Sequence, residues 1–344
     1  MNIEFNSSNI AEENIQDDFK NTQGSPTPPS PNVLESEDLK EPENGWQILE
    51  GFDSPLRLLC LFDPILSDPN FTLYPWQAEC LKKLGTVKPT SQDAYMEAIC
   101  AANGSGKDRF IIAPFVVWFL MTKRKALVIG TSASGLQLSN QTEKYIDALC
   151  IKVNNWSQQY MGKAIFKVRQ RKKTCILSGS ECFLFATDEK SKAEGYHPME
   201  PNSEMAIIVN EAKSVTPDIY EALGRCTGFN YWLDVSTPGE PLGDFHEHFQ
   251  SWDNKRHITY YDCPHQNKKL FEADRKKYGE HSAYFRSKWL ALFTFVGGKY
   301  VISHEKLVTL RKKVKNDSVK WILKDEPIRV GGDIALSSYG DESV

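Results

Sequence analysis

The sequence predicts an α/β protein with a largely parallel β-sheet covered by helices on both faces. Three observations support this prediction. Apolar, strand-like segments alternate with helical segments from residue 96 onward, and this order favours parallel strands joined by helical crossovers. A glycine-rich loop, AANGSGKD over residues 101–108, stands between the first strand and the first long helix. A later apolar segment, MAIIVNE over residues 205–211, ends in a polar pair, as strands do at the ligand edge of such a sheet.

Each predicted element follows from its local pattern. Short continuous apolar runs predict buried strands, whereas apolar residues at helical spacing predict the intervening helices. Pro217 suits the first turn of a short helix, and Pro238 with Gly239 ends a strand in a turn. The strands are predicted at residues 96–102, 126–132, 174–177, 182–186, 205–209 and 231–235, and the helices at residues 107–121 and 135–153.

The composition is that of an ordinary globular protein, since 40% of the 344 residues are hydrophobic and 25% are charged. The longest apolar run, near residues 111–121, is too short to cross a bilayer. The polar, acidic N-terminus lacks the positive charge and apolar core of a secretory signal. We therefore expect no membrane association and a cytosolic location. The eight cysteines include no Cys-x-x-Cys pair, so most are expected to be buried thiols.

Residues 1–44 differ from the rest of the chain. They carry a net charge of −8, against +4 for the remainder, and contain the proline-rich run GSPTPPSP. A segment with so few large apolar side chains cannot offset the entropy of ordering, so we expect a disordered arm. The globular part is compatible with contact to nucleic acid but lacks a strongly basic signature.

The segment from 101 to 108 has the form of a phosphate-binding P-loop. An apolar strand precedes it and a helix follows, which is the context that this motif requires. Its glycines allow backbone amides to approach phosphates, the helix N-terminus adds a positive dipole end, and a lysine reaches the terminal phosphates. The predicted nucleotide-binding residues are Ala102, Asn103, Gly104, Ser105, Gly106, Lys107 and Asp108.

Two positions depart from the standard P-loop. Ala101 replaces the first glycine, and Asp108 replaces the hydroxyl residue that normally touches Mg²⁺. In the later strand, which resembles a Walker B strand, Asn210 stands where a metal-linked aspartate is usual. The number of carboxylates is therefore unchanged, and we expect Asp108 to ligate Mg²⁺ directly or through water while Asn210 holds a metal-bound water. The alternative is a decayed site that binds nucleotide without hydrolysing it.

Further site residues flank these motifs. Glu211 follows Asn210 at the ligand edge, where a carboxylate can polarise the attacking water as a general base; the alternative is an exposed glutamate at a helix start. Upstream, Tyr74 offers an aromatic surface and Gln77 an amide able to pair with an adenine edge, which favours ATP. The same two residues could instead form a helix start packed on the core.

Taken in order, these motifs resemble the large subunit of tailed-phage terminases, the motor that packages viral DNA. The resemblance extends over about residues 50–344. It implies a P-loop NTPase of the RecA-like ASCE type over residues 45–295, followed by a linker over 296–326. The segments that support it are LYPWQ (73–77), AANGSGKD (101–108), GTSAS (130–134), AIIVNEA (206–212), LDVSTPGEPLGDF (233–245) and YGEHSAYFRSKWLALF (278–293).

The resemblance implies an ATPase that translocates double-stranded DNA in the cytoplasm of a bacterial host. Its implied partners are DNA, the portal protein, the small terminase subunit, the procapsid and other copies of the chain in a ring. By this resemblance Ser236 and Thr237 are the motif that couples hydrolysis to DNA movement. An arginine should stabilise the transferring phosphoryl group. The candidates are Arg225, which we assign as the catalytic one, and Arg109. For each, the alternative is an ordinary surface arginine.

Residues 327–344 resemble the opening strand of the terminase nuclease, which has an RNase H-like fold. Asp333 matches its first metal-binding aspartate, but two-metal chemistry needs carboxylates from later strands. We therefore expect endonuclease activity, with its divalent metal, only where that domain is complete. Two other functions remain open, a helicase-like DNA-remodelling ATPase and a nucleotide-binding scaffold with impaired hydrolysis.

Two clusters remain ambiguous. The basic run RQRKK over residues 169–173 could touch DNA phosphates from a hairpin tip or be a solvated charge cluster. The group formed by His246, His248, His257, Cys263 and His265 matches no standard zinc spacing.

Overall fold

The computed structural model describes residues 52–68, 71–186 and 195–295. The predictions for the acidic arm, the linker and the nuclease strand, including Asp333, lie outside these residues. All other predicted site residues fall within them.

One mixed β-sheet organises the described residues. Its strands are β1 Tyr95–Ala101, β2 Leu127–Ser132, β3 Phe166–Arg169, β4 Lys172–Cys175, β5 Ser180–Ala186, β6 Met205–Asn210, β7 Tyr231–Ser236 and β8 Asn254–Ile258. Their spatial order is β3-β4-β5-β2-β6-β7-β1-β8. The strands β5, β2, β6, β7, β1 and β8 pair in parallel with their neighbours in this series. At the other edge, β4 pairs antiparallel with both β3 and β5. The predicted α/β class with a largely parallel sheet is confirmed.

Helices cover both faces of this sheet. Every residue of β2, β6 and β7 is buried, as expected for parallel strands packed on both sides. In β7 the alternation of side chains places Leu233 in one apolar core and Trp232 in the other. The α-helices are α1 Pro55–Phe62, α2 Pro75–Thr86, α3 Ala113–Thr122, α4 Lys144–Met161, α5 Pro217–Gly224, α6 Asp244–Ser251, α7 Lys268–Tyr278 and α8 Ala283–Leu290.

Two long helices begin with a wide π-helical turn. Residues Asp108–Ile112 form such a turn before α3, and Leu138–Glu143 form another before α4, after a single α-helical turn at Gly135–Gln137. Isolated π turns occur often at functional sites. The helix α4 then continues beyond the predicted end and stops at Gly162, whose φ of 69° suits a glycine at a helix C-terminus.

Two strands, β3 and β8, were not predicted. Both lie at edges of the sheet, so their sequences carry polar side chains and lack a continuous apolar run. In β8, NKRHI alternates partly exposed and exposed residues before the buried Ile258. Arg256 compensates the buried Glu97 of β1, with 2.6 Å between Nε and Oε1.

The parallel strands bring their carboxyl ends to one edge of the sheet. Ser132 of β2 is level with Asn210 of β6, which is level with Val235 of β7. Residues that follow these strands therefore meet above this edge, where ligands bind in open α/β sheets.

The thiols agree with the interpretation of the composition. All eight cysteines are free, and all except the half-buried Cys60 are buried. Burial raises the pKa of the Cys60 thiol to about 11, which keeps it protonated at neutral pH. Within the described ranges, no helix combines the length and apolar character needed to cross a membrane.

Candidate nucleotide-binding site

The P-loop spans the gap between β1 and the first π turn. Two backbone bonds anchor its start, because the Ala102 amide donates to the Ile258 carbonyl (2.7 Å) and the Asn103 amide donates to the Lys288 carbonyl (3.0 Å). Its end joins the helix, where the Phe110 amide donates to the Gly106 carbonyl (2.9 Å). The loop is therefore held by β8, by α8 and by its own helix, with the helix N-terminus at the end of the loop.

The two P-loop glycines have different reasons to be glycine. Both adopt a positive φ, 76° at Gly104 and 79° at Gly106, a region that other residues enter at a cost. A Cβ at Gly104 would meet nothing closer than 3.8 Å. A Cβ at Gly106 would lie 2.7 Å from the ring of Phe110 and 2.9 Å from Nε2 of Gln77. Gly106 therefore allows both the turn and close packing.

Lys107 links the P-loop to the end of β6. Its Nζ lies 2.7 Å from Oε1 of Glu211 and 3.4 Å from Oδ2 of Asp108. Burial alone would lower the pKa of Lys107, but the two carboxylates outweigh it and hold the pKa above its ordinary value. The ammonium is therefore charged and, in this arrangement, is bound by the two acidic residues.

Asp108 and Asn210, which were predicted to act together, are in direct contact. Nδ2 of Asn210 donates to Oδ1 of Asp108 at 2.5 Å, and also to Oγ1 of Thr142 at 2.7 Å. The Thr142 hydroxyl in turn donates to Asp108 Oδ1 at 3.2 Å. An ionised carboxylate only accepts hydrogen bonds, so Asn210 must present its amide nitrogen to it. The carbonyl oxygen of Asn210 is consequently buried without a hydrogen-bond partner.

Glu211 directly follows β6 in a left-handed conformation, with φ 49° and ψ 42°. This conformation costs a non-glycine residue about 1 kcal/mol. It reverses the chain at the edge of the sheet, and the carboxylate of Glu211 lies against the lysine of the P-loop. Backbone strain of this kind is characteristic of functional sites.

Ser236 and Thr237 are the predicted coupling residues; Ser236 is the last residue of β7, Thr237 follows it, and both are buried. Both bind Lys213, which lies two residues after Glu211. The Lys213 amide donates to the Ser236 hydroxyl (3.2 Å), and Nζ donates to the Thr237 hydroxyl (2.6 Å). Burial, together with the charge of Lys107, lowers the pKa of Lys213. The loop that carries Glu211 is thus bonded directly to the end of β7.

Gln77 and Tyr74 lie beside the P-loop at the start of α2. Gln77 is only 1% exposed. Its Nε2 donates to the Ser105 carbonyl (2.8 Å), and its Oε1 accepts from the Tyr74 amide (3.0 Å). In this conformation the Gln77 amide supports the P-loop. The Tyr74 ring stacks on exposed His265, with 5.7 Å between centroids, and provides an aromatic surface near the loop.

The two arginine candidates have different surroundings. Arg225 stands at the end of α5, is 58% exposed and forms an ion pair with Glu221 one turn earlier. Arg109 is engaged within the protein, because its guanidinium binds both oxygens of the buried Asp63 (2.9 and 2.9 Å). Lys152 also contacts Asp63 at 3.1 Å.

The basic run RQRKK does form a hairpin, between β3 and β4. Much of its charge is paired within the protein. Lys173 is fully buried and lies 2.8 Å from both Glu143 and Asp147. Arg171 donates its backbone amide to Glu143 at 2.5 Å, and Lys172 binds Glu181 at the surface of the sheet.

The histidine-rich group does not gather into a cluster of metal ligands. Among the described residues, no group of three or more His, Cys, Asp or Glu side chains is arranged to hold a metal ion. His248 instead binds the buried Asp234 at 2.8 Å and stacks on Trp252.

Sequence reasoning missed Thr142 and Lys213. Lys213 could have been noticed from its position two residues after Glu211. Thr142 gives no such signal, because it reaches the site only through the adjacency of β2 and β6. That adjacency joins strands that are not consecutive in the chain.

Comparison with known proteins supports the fold. No protein-family model and no curated protein matches the sequence. Solved structures do match. The large terminase of bacteriophage HK97 aligns with 70% of this chain and 55% of its own length, at 13% identity and a TM-score of 0.51.

Two further structures give similar alignments. The ATPase domain of the Thermus phage P74-26 large terminase aligns over 68% of this chain and 97% of its own, at 13% identity and a TM-score of 0.48. The large terminase of a thermophilic bacteriophage, solved in complex with ADP, aligns over 64% of this chain and 54% of its own, at 15% identity and a TM-score of 0.46. The chain spans about half the length of this protein and of the HK97 protein. The alignment with the HK97 structure confirms, at the level of the fold, the resemblance to phage large terminases that the motifs indicated.

Proposed function

We propose that this chain is the ATP-hydrolysing motor part of a terminase large subunit. The observation that carries the proposal is the contact between the P-loop and the end of β6, where Lys107 binds Glu211 and Asp108 binds Asn210. The residues to which we assign the phosphate cradle, the cation, the base and the metal ligands thereby lie at one edge of the sheet.

The pairing of Lys107 with Glu211 suggests how substrate activates the site. While Nζ of Lys107 lies 2.7 Å from Oε1 of Glu211, the ammonium occupies this carboxylate, which is then not free to accept a proton from water. The triphosphate carries more negative charge than Glu211, so it draws Lys107 toward the β- and γ-phosphates. Glu211 is then released to accept a proton from the attacking water. When ATP binds, Lys107 therefore exchanges Glu211 for the phosphates as its ion-pair partner, and this exchange frees the base.

The residues at this edge fit a magnesium ion. Mg²⁺ prefers oxygen ligands with one or two carboxylates and keeps several waters. Asp108 supplies a carboxylate, and Asn210 supplies a buried carbonyl oxygen without a hydrogen-bond partner. Mg²⁺ bound with ATP would neutralise charge on the phosphates. Asp108 would hold it, and Asn210 would orient one of its waters.

Ser236 and Thr237 are proposed to couple hydrolysis to movement. Lys213 binds both residues and lies on the loop that bears Glu211. A shift of that loop on loss of the γ-phosphate would therefore pull on the end of β7. Arg225 remains the proposed arginine donor, acting from a neighbouring subunit, which agrees with its exposed position.

The biological process that we propose is packaging of double-stranded viral DNA into a procapsid. The implied partners are DNA, the portal protein, the small terminase subunit and further copies of this chain in a ring, all in the cytoplasm of a bacterial host. The support is the fold shared with the HK97 large terminase and the order of the motifs. Nuclease activity, with its own divalent metal, belongs to the proposal only where the nuclease domain is complete.

Phosphate release measured with procapsids and double-stranded DNA tests this function. We expect Mg²⁺-dependent hydrolysis that DNA and procapsids stimulate. Glu211→Gln should retain nucleotide binding and lose hydrolysis by a factor of about 10² to 10⁴, the usual contribution of a general base. The exposed Glu272→Gln, at a surface ion pair with Arg275, is the matched control and should hydrolyse at the wild-type rate. Wild-type hydrolysis by Glu211→Gln would refute the assignment of the base.

A nucleotide-binding scaffold is the second candidate, favoured by the unusual residues Asp108 and Asn210. Steady-state assays of Asp108→Ser and Asn210→Asp, singly and together, distinguish it. If Asp108 and Asn210 have exchanged roles, the wild type is active and each single change lowers the rate. An inactive wild type that the double change restores would establish the scaffold and refute the motor.

A further inference from the structure

The P-loop of this chain lacks the hydroxyl residue that follows the lysine in the standard motif. That hydroxyl normally touches Mg²⁺. Here the position holds Asp108. The carboxylate of Asp108 restores the negative charge that is lost where Asn210 replaces an aspartate, but it does not supply a neutral hydroxyl ligand. The proposed metal site therefore lacks one hydroxyl of the standard set.

The structure places a threonine hydroxyl at this point from another part of the chain. Oγ1 of Thr142 lies 3.2 Å from Asp108 Oδ1 and 2.7 Å from Asn210 Nδ2. Thr142 is only 3% exposed, so its hydroxyl contacts Asp108 and Asn210 rather than solvent. It contacts both residues of the proposed metal site and belongs to neither motif.

The local backbone supports this placement from both sides. Asp108 begins one π turn, and Thr142 lies in the other, Leu138–Glu143. Each π turn widens the helix by one residue, and such turns often mark functional sites. The two π turns follow different strands. The turn of Asp108 follows β1 and the turn of Thr142 follows β2, which lies next to β6 in the sheet.

Glu143, the residue after Thr142, is hydrogen-bonded to the hairpin of β3 and β4. Glu143 is buried and accepts hydrogen bonds from Nζ of Lys173 (2.8 Å) and from the backbone amide of Arg171 (2.5 Å). The hairpin of β3 and β4 therefore anchors the helix that carries the hydroxyl.

We propose that Thr142 contributes to Mg²⁺ binding the hydroxyl that the P-loop lacks, so that the metal site comprises Asp108, Asn210 and Thr142. The proposal rests on the proposed nucleotide site and extends it to a third residue. It also gives a reason for Asp108, which the hydroxyl of Thr142 and the amide of Asn210 hold in place through Oδ1.

The test measures Mg²⁺ binding rather than turnover. A fluorescent ATP analogue is titrated with the unaltered protein and with variants, in EDTA and over a range of Mg²⁺ concentrations. Thr142→Val keeps the shape and removes the hydroxyl, whereas Thr142→Ser keeps the hydroxyl. Thr131→Val is the matched control, because Thr131 is also buried but its hydroxyl binds the Phe185 carbonyl (3.1 Å).

Mg²⁺ is expected to increase the affinity for the ATP analogue. We expect Thr142→Val to raise about tenfold the Mg²⁺ concentration at which this increase is half-maximal, which is at the lower end of the effects seen at metal sites. Its affinity in EDTA should equal that of the unaltered protein. Thr142→Ser and Thr131→Val should keep the wild-type Mg²⁺ midpoint. A wild-type midpoint in Thr142→Val, or an equal loss of affinity in EDTA, would overturn the assignment of Thr142. Absence of any nucleotide binding by the unaltered protein would instead refute the proposed function itself.

Discussion

The two P-loop glycines provide a quantitative test of the site geometry. Alanine at either position must adopt a left-handed conformation, at a cost of about 1 kcal/mol. At Gly104 nothing else resists it, since the nearest atom to a new Cβ is 3.8 Å away. At Gly106 the Cβ overlaps the Phe110 ring at 2.7 Å and the Gln77 amide at 2.9 Å. Overpacking adds about 2 kcal/mol.

We therefore expect Gly106→Ala to destabilise the protein by about 3 kcal/mol and Gly104→Ala by about 1 kcal/mol. Phe110 cannot easily move aside, because its ring packs on Phe71 at 5.4 Å between centroids. Thermal unfolding without nucleotide measures the difference, which corresponds to roughly 4–8 °C for a domain of this size.

A double-mutant cycle tests the cause of that difference. Phe110→Ala removes the ring atoms that a Cβ at Gly106 would meet, so the two changes should be less destabilising together than their sum, by about 1 kcal/mol or more. The same cycle with Gly104→Ala should be additive. Equal midpoints for the two glycine variants, or additivity at Gly106, would refute this account of the P-loop packing.

Three further predictions follow from charged groups around the site. Burial acts to raise the pKa of Asp63, but its two basic partners hold it below its ordinary value. Its stabilising effect is therefore present at neutral pH and is lost as the pH falls below about 4. Asp63→Asn should lower the free energy of unfolding in urea by about 2 kcal/mol at pH 7, with a smaller deficit at pH 3; a pH-independent deficit would contradict this. Lys173→Met should cost about 4 kcal/mol, because it leaves two carboxylates without their buried cation, whereas exposed Lys172→Met should change the thermal midpoint little. Lys213→Met removes the bond to Thr237 and should retain nucleotide binding while weakening stimulation of phosphate release by DNA; unchanged stimulation would exclude the link.

Local patterns in the sequence were sufficient for much of the fold. Central strands such as β2 and β6 are continuous apolar runs because they are buried on both faces, and their class was predicted correctly. Edge strands such as β8 lack that pattern because one side faces solvent. The β/α alternation predicted a largely parallel sheet, and the pairing confirms it.

Some features of the candidate site could likewise be predicted from the sequence, whereas others could not. The replacement of a hydroxyl by Asp108 and of a carboxylate by Asn210 is visible in the motifs, and the structure brings the two side chains into contact. Gln77 shows the limit of this reasoning. Its residue type suggested an adenine contact, yet burial and two hydrogen bonds engage its amide with the P-loop and its own helix.

The basic hairpin shows a similar limit. The sequence left two interpretations of the run RQRKK, a hairpin tip that touches DNA phosphates or a solvated charge cluster. Whether a lysine is solvated or buried depends on the acidic residues that fold against it, and these come from the preceding helix. Lys173 is fully buried between Glu143 and Asp147, so its place in a basic run did not predict its burial.

The sequence by itself determined the glycine-rich loop after β1, the alternation of the central strands with helices, and the residue types at Asp108 and Asn210. These are local properties, set by neighbouring residues and their periodicity. Only the tertiary structure decided which strands lie side by side, and hence that Thr142 joins the site and that Lys213 links Glu211 to the end of β7. The physical reason is that strand order depends on packing between distant segments, which local periodicity does not encode.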